Sequence, residues 1–396
     1  MKNILYCLVF TGFLTLNNII LSCKKSEPSL SVKINSISPV AAGNNDIVTI
    51  NGLNLINNDS NPKVELNGVQ LEVVKVTANG IDVKIPKLVG SGIMTLTVDG
   101  TKYQCPEFTY KYKTSVTTIA GSGSVGSNDG TGSQVTFNAP WGIAADNFGN
   151  LYVADVYNRL IRKISANDHT VTTITIHNTI DFKSPYNIAI DDKKNMYVTD
   201  FNESLLKITV TGEQSVLYNG TMPNTGIAVS TDGFLYMSNN SLGTILKLND
   251  DGRNISTFTS GLITPRNIIF DKSDNMYVSA FDGNTSAAAI YKIDKFGKAT
   301  LLFTDKGFEG WEIAIDDLGN IYEADHFHNA IRIIGKNGKA VVIAGSGNPK
   351  DVDGLGLNAS FDGPRGITID KAGDLYVTTY NEDTKTGNKV RKIVVE

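Results

Sequence analysis

Apolar and polar positions along most of this chain alternate in short bursts, and one burst recurs. PWGIAADNFGNLYVADVYNRLIRKI, residues 140–164, shows it most clearly. Gly142–Asp146 is an apolar run ending in Asp, and Asn147, Gly149 and Asn150 supply turn chemistry. Leu151–Asp155 reads as a second strand, with Tyr152 and Val153 as strand formers. Leu160–Ile164 is a third, and Thr170–Ile176, alternating Thr with Val and Ile, a fourth. An Ile sits nine residues before a Tyr in six places: Ile143/Tyr152, Ile188/Tyr197, Ile227/Tyr236, Ile268/Tyr277, Ile313/Tyr322 and Ile367/Tyr376. Four short strands in about 40 residues make one blade-sized antiparallel sheet. One such sheet cannot bury both faces, so neighbouring copies must cover them and the series must close.

PWGIAAD, GNLYVAD and NRLIRKI resemble the NHL repeat over about Ser115 to Glu396. The resemblance implies a six-bladed β-propeller. Residues 32–112 lack the Ile/Tyr repeat. Alternating runs such as Val48–Ile50 and Met94–Val98, separated by Gly/Asn turns, read as a β-sandwich. ISPVAAGNNDIVTINGLNL, VELNG, IDVKIP, GIMTLTVDG and EFTYKY resemble an IPT/TIG domain, which implies an immunoglobulin-like spacer or partner-binding module. The expected fold is all-β: an IPT/TIG sandwich over 32–112, then a propeller over 113–396.

Closure of the ring follows from a strand count. Ser115–Gly121 reads as an outermost strand with no blade before it, and KVRKIVVE is a third strand with no fourth after it. Val116–Ala120 is therefore expected to pair with Lys389–Val395, which leaves no open sheet edge. Other outer strands are expected at Gln214–Tyr218, Ile255–Thr259, Ala299–Phe303 and Ala340–Ala344. GSGSVGSNDGTGSQVTFNAP and GSGNPKDVDGLGLNASFDGP, ahead of the first and last copies, read as long connecting loops. They are not phosphate loops, because no Lys-Ser/Thr follows.

Residues 1–22 read as a lipoprotein signal peptide. Lys2 is the positive start, Ile4–Leu16 the apolar run, and Ile19–Cys23 resembles a lipobox. The run is broken and short for a spanning helix. Acyl chains on Cys23, followed by a linker over 23–31, would hold the protein on a membrane surface. Lys24-Lys25-Ser26-Glu27 resembles the tract that directs some lipoproteins to the cell surface. Of the three cysteines, Cys105 then stands alone and is expected in a small core rather than in a disulfide. A formal charge of −4 gives no reason to expect nucleic acid.

Two rings of residues are expected on one propeller rim. The inner ring precedes each Gly-Ile-like pair: Trp141, Tyr186, Thr225, Arg266, Trp311 and Arg365. The outer ring includes Tyr157, Phe201, Phe281, Phe327 and Tyr380. Aromatic residues and Arg around a concave mouth suit sugar stacking and carboxylate recognition. The alternative is that they plug the channel or pack against adjacent blades. The site residues expected to bind ligand are Trp141, Tyr186, Arg266, Trp311 and Arg365, with the Trp and Tyr rings as stacking platforms and the Arg side chains favouring an acidic sugar. The gaps Phe281–Ala289 and Tyr380–Asn388 are longer than their counterparts, and added loop is a place for function.

Similar repeats occur in metal-dependent lyases and lactonase-like hydrolases. Glu312, His326 and His328 are the residues here that could hold a divalent ion. Asn187 and Asn267 stand at the Glu312 position in the second and fourth copies, the third and sixth offer no matching ligand, and no nucleophile–His pair is evident. Asp146, Asp191, Asp271, Asp316 and Asp370 recur at one turn position and are read as turn formers. The leading expectation is an outer-membrane-anchored glycan-binding lipoprotein without a cofactor, resembling those that accompany a transporter complex. A protein-interaction scaffold and a metal-dependent lyase or hydrolase are the alternatives.

Overall fold

The Ile-to-Tyr spacing turns out to be a packing rule between blades. Within a blade the first two strands pair so that Ile143 faces Val153 and Ala144 faces Tyr152. Ile143 and Tyr152 therefore point to opposite faces of the same sheet. Tyr152 shares a core with Ile188 of the next blade, and Ile143 shares one with Tyr376 of the last. Tyr197 meets Ile227, Tyr236 meets Ile268, Tyr277 meets Ile313 and Tyr322 meets Ile367 in the same way. Each Tyr hands the ring on to the next Ile, and the sixth hands it back to the first.

This computed structural model describes residues 31–56, 61–177, 183–201, 204–220, 224–282, 287–306 and 310–396. The leader over 1–22, Cys23 and all of the linker but Ser31 lie outside the described residues. The fold is all-β: an IPT/TIG sandwich followed by a six-bladed propeller. One sandwich sheet runs Lys33–Ser38, Ile47–Leu53, Gly80–Lys84, Glu72–Val76. The other runs Ala41–Ala42, Thr101–Tyr110, Gly92–Val98, Lys63–Leu66, Val69–Gln70. Val48, Ile50, Ile81, Val83, Leu96 and Phe108 are buried between them. Cys105 lies in this core, and burial pushes its thiol up to about 11.

The six blades start at Pro140, Pro185, Asn224, Pro265, Gly310 and Pro364. The first strand of each blade touches that of the next, and that of blade 6 touches that of blade 1. Thr114–Ala120 is the outer strand of blade 6, antiparallel to Thr386–Val395, with Val116 opposite Ile393. Lys113 and Glu396 extend the seam by exchanging two backbone hydrogen bonds, 2.8 and 2.7 Å.

The two Gly-rich insertions do more than connect. Gly354–Leu355 adds a short strand outside Ser115–Val116. Asp351 and Asp353 pair with buried Arg391 at 2.7 and 2.8 Å. Asp129 of the first insertion pairs with buried Arg162 at 2.7 Å. Sequence reasoning missed this because each ion pair spans more than thirty positions of chain. The fourth strand of blade 1 is also shorter than expected, Val171–Thr173, and Gly130 of the insertion bridges to Val171.

The recurring Asp residues close the turn after the first strand in five blades, and Ser230 stands there in blade 3. Asp146 accepts from the backbone N–H of Phe148 and Asn150 and from the Tyr152 hydroxyl. The sandwich docks on this turn-bearing rim. Leu88 enters the core of blades 5 and 6, and its carbonyl accepts from Asn320 at 3.0 Å. Asn337 donates to the Ser91 carbonyl at 2.8 Å, and Lys339 pairs with Glu107.

Candidate functional site

The rim opposite the docked sandwich carries the candidate site. Pro140 pairs with Asp155, Pro185 with Asp200, and Gly310 with Asp325. The start of each first strand and the end of each second strand therefore share one rim, which puts the inner and outer rings together as expected. Trp141, Tyr186, Arg266, Trp311 and Arg365 converge on one pocket with Asn187, Asn267 and Glu312.

The inner ring is a packed collar. Tyr186 meets Trp141 edge-on at 4.6 Å between ring centres, and Trp311 lies 6.2 Å from Trp141. Arg266 lies over Trp311 at 4.2 Å, and Arg365 lies over Trp141 at 4.6 Å and Trp311 at 5.0 Å. Such cation–π contacts strengthen when water is excluded. Trp141, Tyr186 and Arg365 are buried, and the remaining space is ≈ 20 Å³, about one water molecule. The expected role of Trp141, Tyr186 and Trp311 as open stacking platforms needs correction: guanidinium groups and neighbouring rings occupy those faces.

Second-strand hydroxyls hold the collar in place. Thr378 donates to the Trp141 carbonyl at 2.6 Å, Ser238 to that of Arg266 at 2.5 Å and Ser279 to that of Trp311 at 3.2 Å. These positioning residues escaped sequence reasoning because each acts on the next blade. Gly366 sits where a Cβ would lie 2.2 Å from the Trp141 carbonyl oxygen, so that approach requires glycine.

Beneath the collar, side chains replace glycine in blades 2, 4 and 5. Asn187 donates to Glu312 at 2.7 Å, and the other Glu312 oxygen accepts from the Ile367 N–H at 3.3 Å. Asn267 accepts from the Ile313 N–H at 3.2 Å. Burial pushes the Glu312 carboxyl up to about 8, so it is neutral at pH 7. Burial, reinforced by the Arg365 charge, pushes His326 down to about 4.

Glu312, His326 and His328 do not form a common ligand set. The His328 ring is half exposed and bonded to Asp325 at 3.0 Å, while Glu312 is committed to Asn187 and Ile367. Among the described residues, no group of three or more His, Cys, Asp or Glu is arranged to hold a metal ion.

The outer ring is where aromatic surface meets solvent. Tyr157 is 48% exposed, Phe201 57% and Phe327 60%. Phe201 lies 6.1 Å from Tyr186, and Phe327 reaches Trp311 through His326 by two 6.2 Å ring contacts. Tyr380 is instead buried, edge-on to Tyr157 at 5.9 Å, and Phe281 is partly covered by Arg266 at 4.9 Å. Sequence alone could not separate these exposed rings from the buried ones, since all five occupy equivalent repeat positions.

Residues 32–110 match the family model of the IPT/TIG domain. No curated protein sequence matches the chain. A protein of unknown function from Bacteroides thetaiotaomicron superposes with a TM-score of 0.60 at 21% identity, over 93% of this chain and 99% of that one. An auxiliary nutrient binding protein from Bacteroides ovatus gives 0.57 at 18% identity, over 93% and 99%. A streptogramin B lyase gives 0.50 at 14% identity, over 72% and 98%. The first two carry the likeness across sandwich and propeller alike, so the two-part fold is one that this chain shares with other proteins.

Proposed function

We propose that this protein is a cell-envelope lipoprotein that binds an oligosaccharide on the propeller rim. The observation that carries this reading is the set of solvent-exposed rings Tyr157, Phe201 and Phe327 around a collar of buried Arg and Trp. Exposed aromatic faces on a rigid scaffold give contact area at low entropic cost. The sandwich docks on the other rim, which leaves this one clear of the stalk. The name of one similar structure, an auxiliary nutrient binding protein, agrees with a binding role.

Affinity electrophoresis on a panel of neutral and acidic glycans tests it. Phe201→Ala and Phe327→Ala should each weaken retention at least about fivefold, the effect of losing an anchoring aromatic side chain, with melting temperature unchanged. Retention equal to wild type in both variants dismisses the rim. A protein-interaction role is the second reading, favoured by Leu242, an aliphatic side chain 61% exposed. It gains if no glycan is retained. Anchoring through Cys23, and an outer-membrane location beside a transporter, belong to the same proposal. Cys23→Ser should move the protein from the detergent phase to the aqueous phase in Triton X-114 partitioning.

A further inference from the structure

Nε1 of Trp141, Nε1 of Trp311 and one terminal nitrogen of Arg365 are three collar atoms that have no hydrogen-bond partner among the described residues. All three are donors, and all three residues line the same void. Arg365 is 3% exposed and Trp141 9%, so bulk water does not serve them. Buried polar groups in native structures are matched by protein, ordered water or ligand, and an unmatched cluster calls for an explanation.

The surrounding charges indicate what the void would take. Arg266 and Arg365 both lie against Trp311, at 4.2 and 5.0 Å. Glu312 beneath them is uncharged at neutral pH because burial pushes it up to about 8. His326 beside them is uncharged because burial and the Arg365 charge hold it near 4. Glu382 reaches Arg365 at 3.4 Å with its own side chain 48% exposed. Arg365 thus already meets a carboxylate from the solvent side.

We propose that the collar is a carboxylate subsite, in which one oxygen of a ligand carboxylate enters between Trp141, Trp311 and Arg365 and displaces Glu382. An ionised acceptor suits this arrangement better than a neutral one, because charge-assisted hydrogen bonds are the stronger kind. The void admits one water-sized atom, which matches a single carboxylate oxygen and excludes a sugar ring. The inference rests on the rim reading for the rest of the ligand. A uronic acid would place its carboxylate in the collar while its neighbours lie along Tyr157, Phe201 and Phe327.

The protein's two tryptophans both belong to the collar, so selectively excited tryptophan fluorescence reports on this site alone. Trigalacturonate, galactotriose and acetate are titrated into wild type, Trp311→Phe and Arg266→Gln. Trp311→Phe keeps a ring and removes one donor. Arg266→Gln removes a charge from a partly exposed side chain, so folding does not depend on the buried Arg365. The expected result is at least tenfold tighter binding of trigalacturonate than of galactotriose, a gap that shrinks at least threefold in both variants. Equal affinity for the two sugars overturns the subsite and leaves the rim reading intact. If neither sugar binds, the rim reading falls and acetate decides the subsite. A saturable fluorescence change that weakens in both variants keeps it, and no change removes it.

Discussion

Tyr376 of blade 6 packs in one core with Ile143 of blade 1, and that contact closes the ring. Tyr376 is 5% exposed and Ile143 4%. Ile143→Ala should cost about 2–5 kcal/mol, as buried aliphatic truncations do. Tyr376→Phe keeps the packing and loses the hydroxyl's 3.0 Å hydrogen bond to Asp370 and its contact with Lys392, a cost of about 0.5–1.5 kcal/mol per hydrogen bond. Urea denaturation measures both. Equal losses in the two variants would mean that the seam does not depend on this packing.

The same pair explains what was legible in the sequence. A strand, a turn and a second strand fix the distance from Ile to Tyr, and alternation sends the two side chains to opposite blades. The spacing therefore reported both the blade and its neighbour, and the unpaired Ser115–Gly121 segment reported the closure. What stayed hidden depends on contacts between distant parts of the chain. Nothing near Trp141 in sequence shows that Arg365 covers it, and nothing near Arg391 shows that Asp351 neutralises it. Repeat position placed the collar on the right rim but could not tell an open ring from a covered one.

Glu312 gives the propeller a pH-dependent stability. Its carboxyl ordinarily titrates near 4.5, and burial in the folded channel pushes it up to about 8. A raised value means that the protonated form is the one the fold holds. The contribution is complete below about 4.5 and is lost as pH rises through about 8, at a slope of about 1.4 kcal/mol per pH unit. Glu312→Gln keeps the shape and the acceptor for Asn187 but cannot ionise. Its stability relative to wild type should rise steadily from about pH 5 to pH 8.5. Parallel pH profiles in the two proteins would refute a raised value for Glu312.

Arg391 should prove far more costly to remove alone than together with its partner. Its side chain is fully buried against Asp351, which is itself only 2% exposed. Arg391→Met strands that carboxylate, and breaking a buried pair on one side costs about 3–5 kcal/mol. Asp353, the other partner, is half exposed and can return to water. Adding Asp351→Asn to Arg391→Met removes the stranded charge, so the double variant should recover at least about 1 kcal/mol of the loss. Strictly additive effects in this cycle would contradict the pairing.

Leu88 should decide whether sandwich and propeller melt as one unit. It is 7% exposed, its side chain sits in the core of blades 5 and 6, and its carbonyl is served by Asn320. Two polar links across this junction, Asn337 to Ser91 and Lys339 to Glu107, are exposed and therefore weak, while Tyr112 packs partly buried against both cores. The sandwich has its own core around Val48, Ile50 and Phe108, which Leu88 does not join. Leu88→Ala should therefore loosen the junction without unfolding the sandwich, at a cost of about 2–5 kcal/mol to the coupling. Asn320→Ala should act in the same direction by about 1–3 kcal/mol, since it leaves the buried Leu88 carbonyl unserved. Scanning calorimetry should show one transition in wild type and two in Leu88→Ala, with the propeller melting earlier than in wild type. A single unshifted transition in the variant would show that Leu88 does not carry the junction, and that the seam between Lys113 and Glu396 holds it instead.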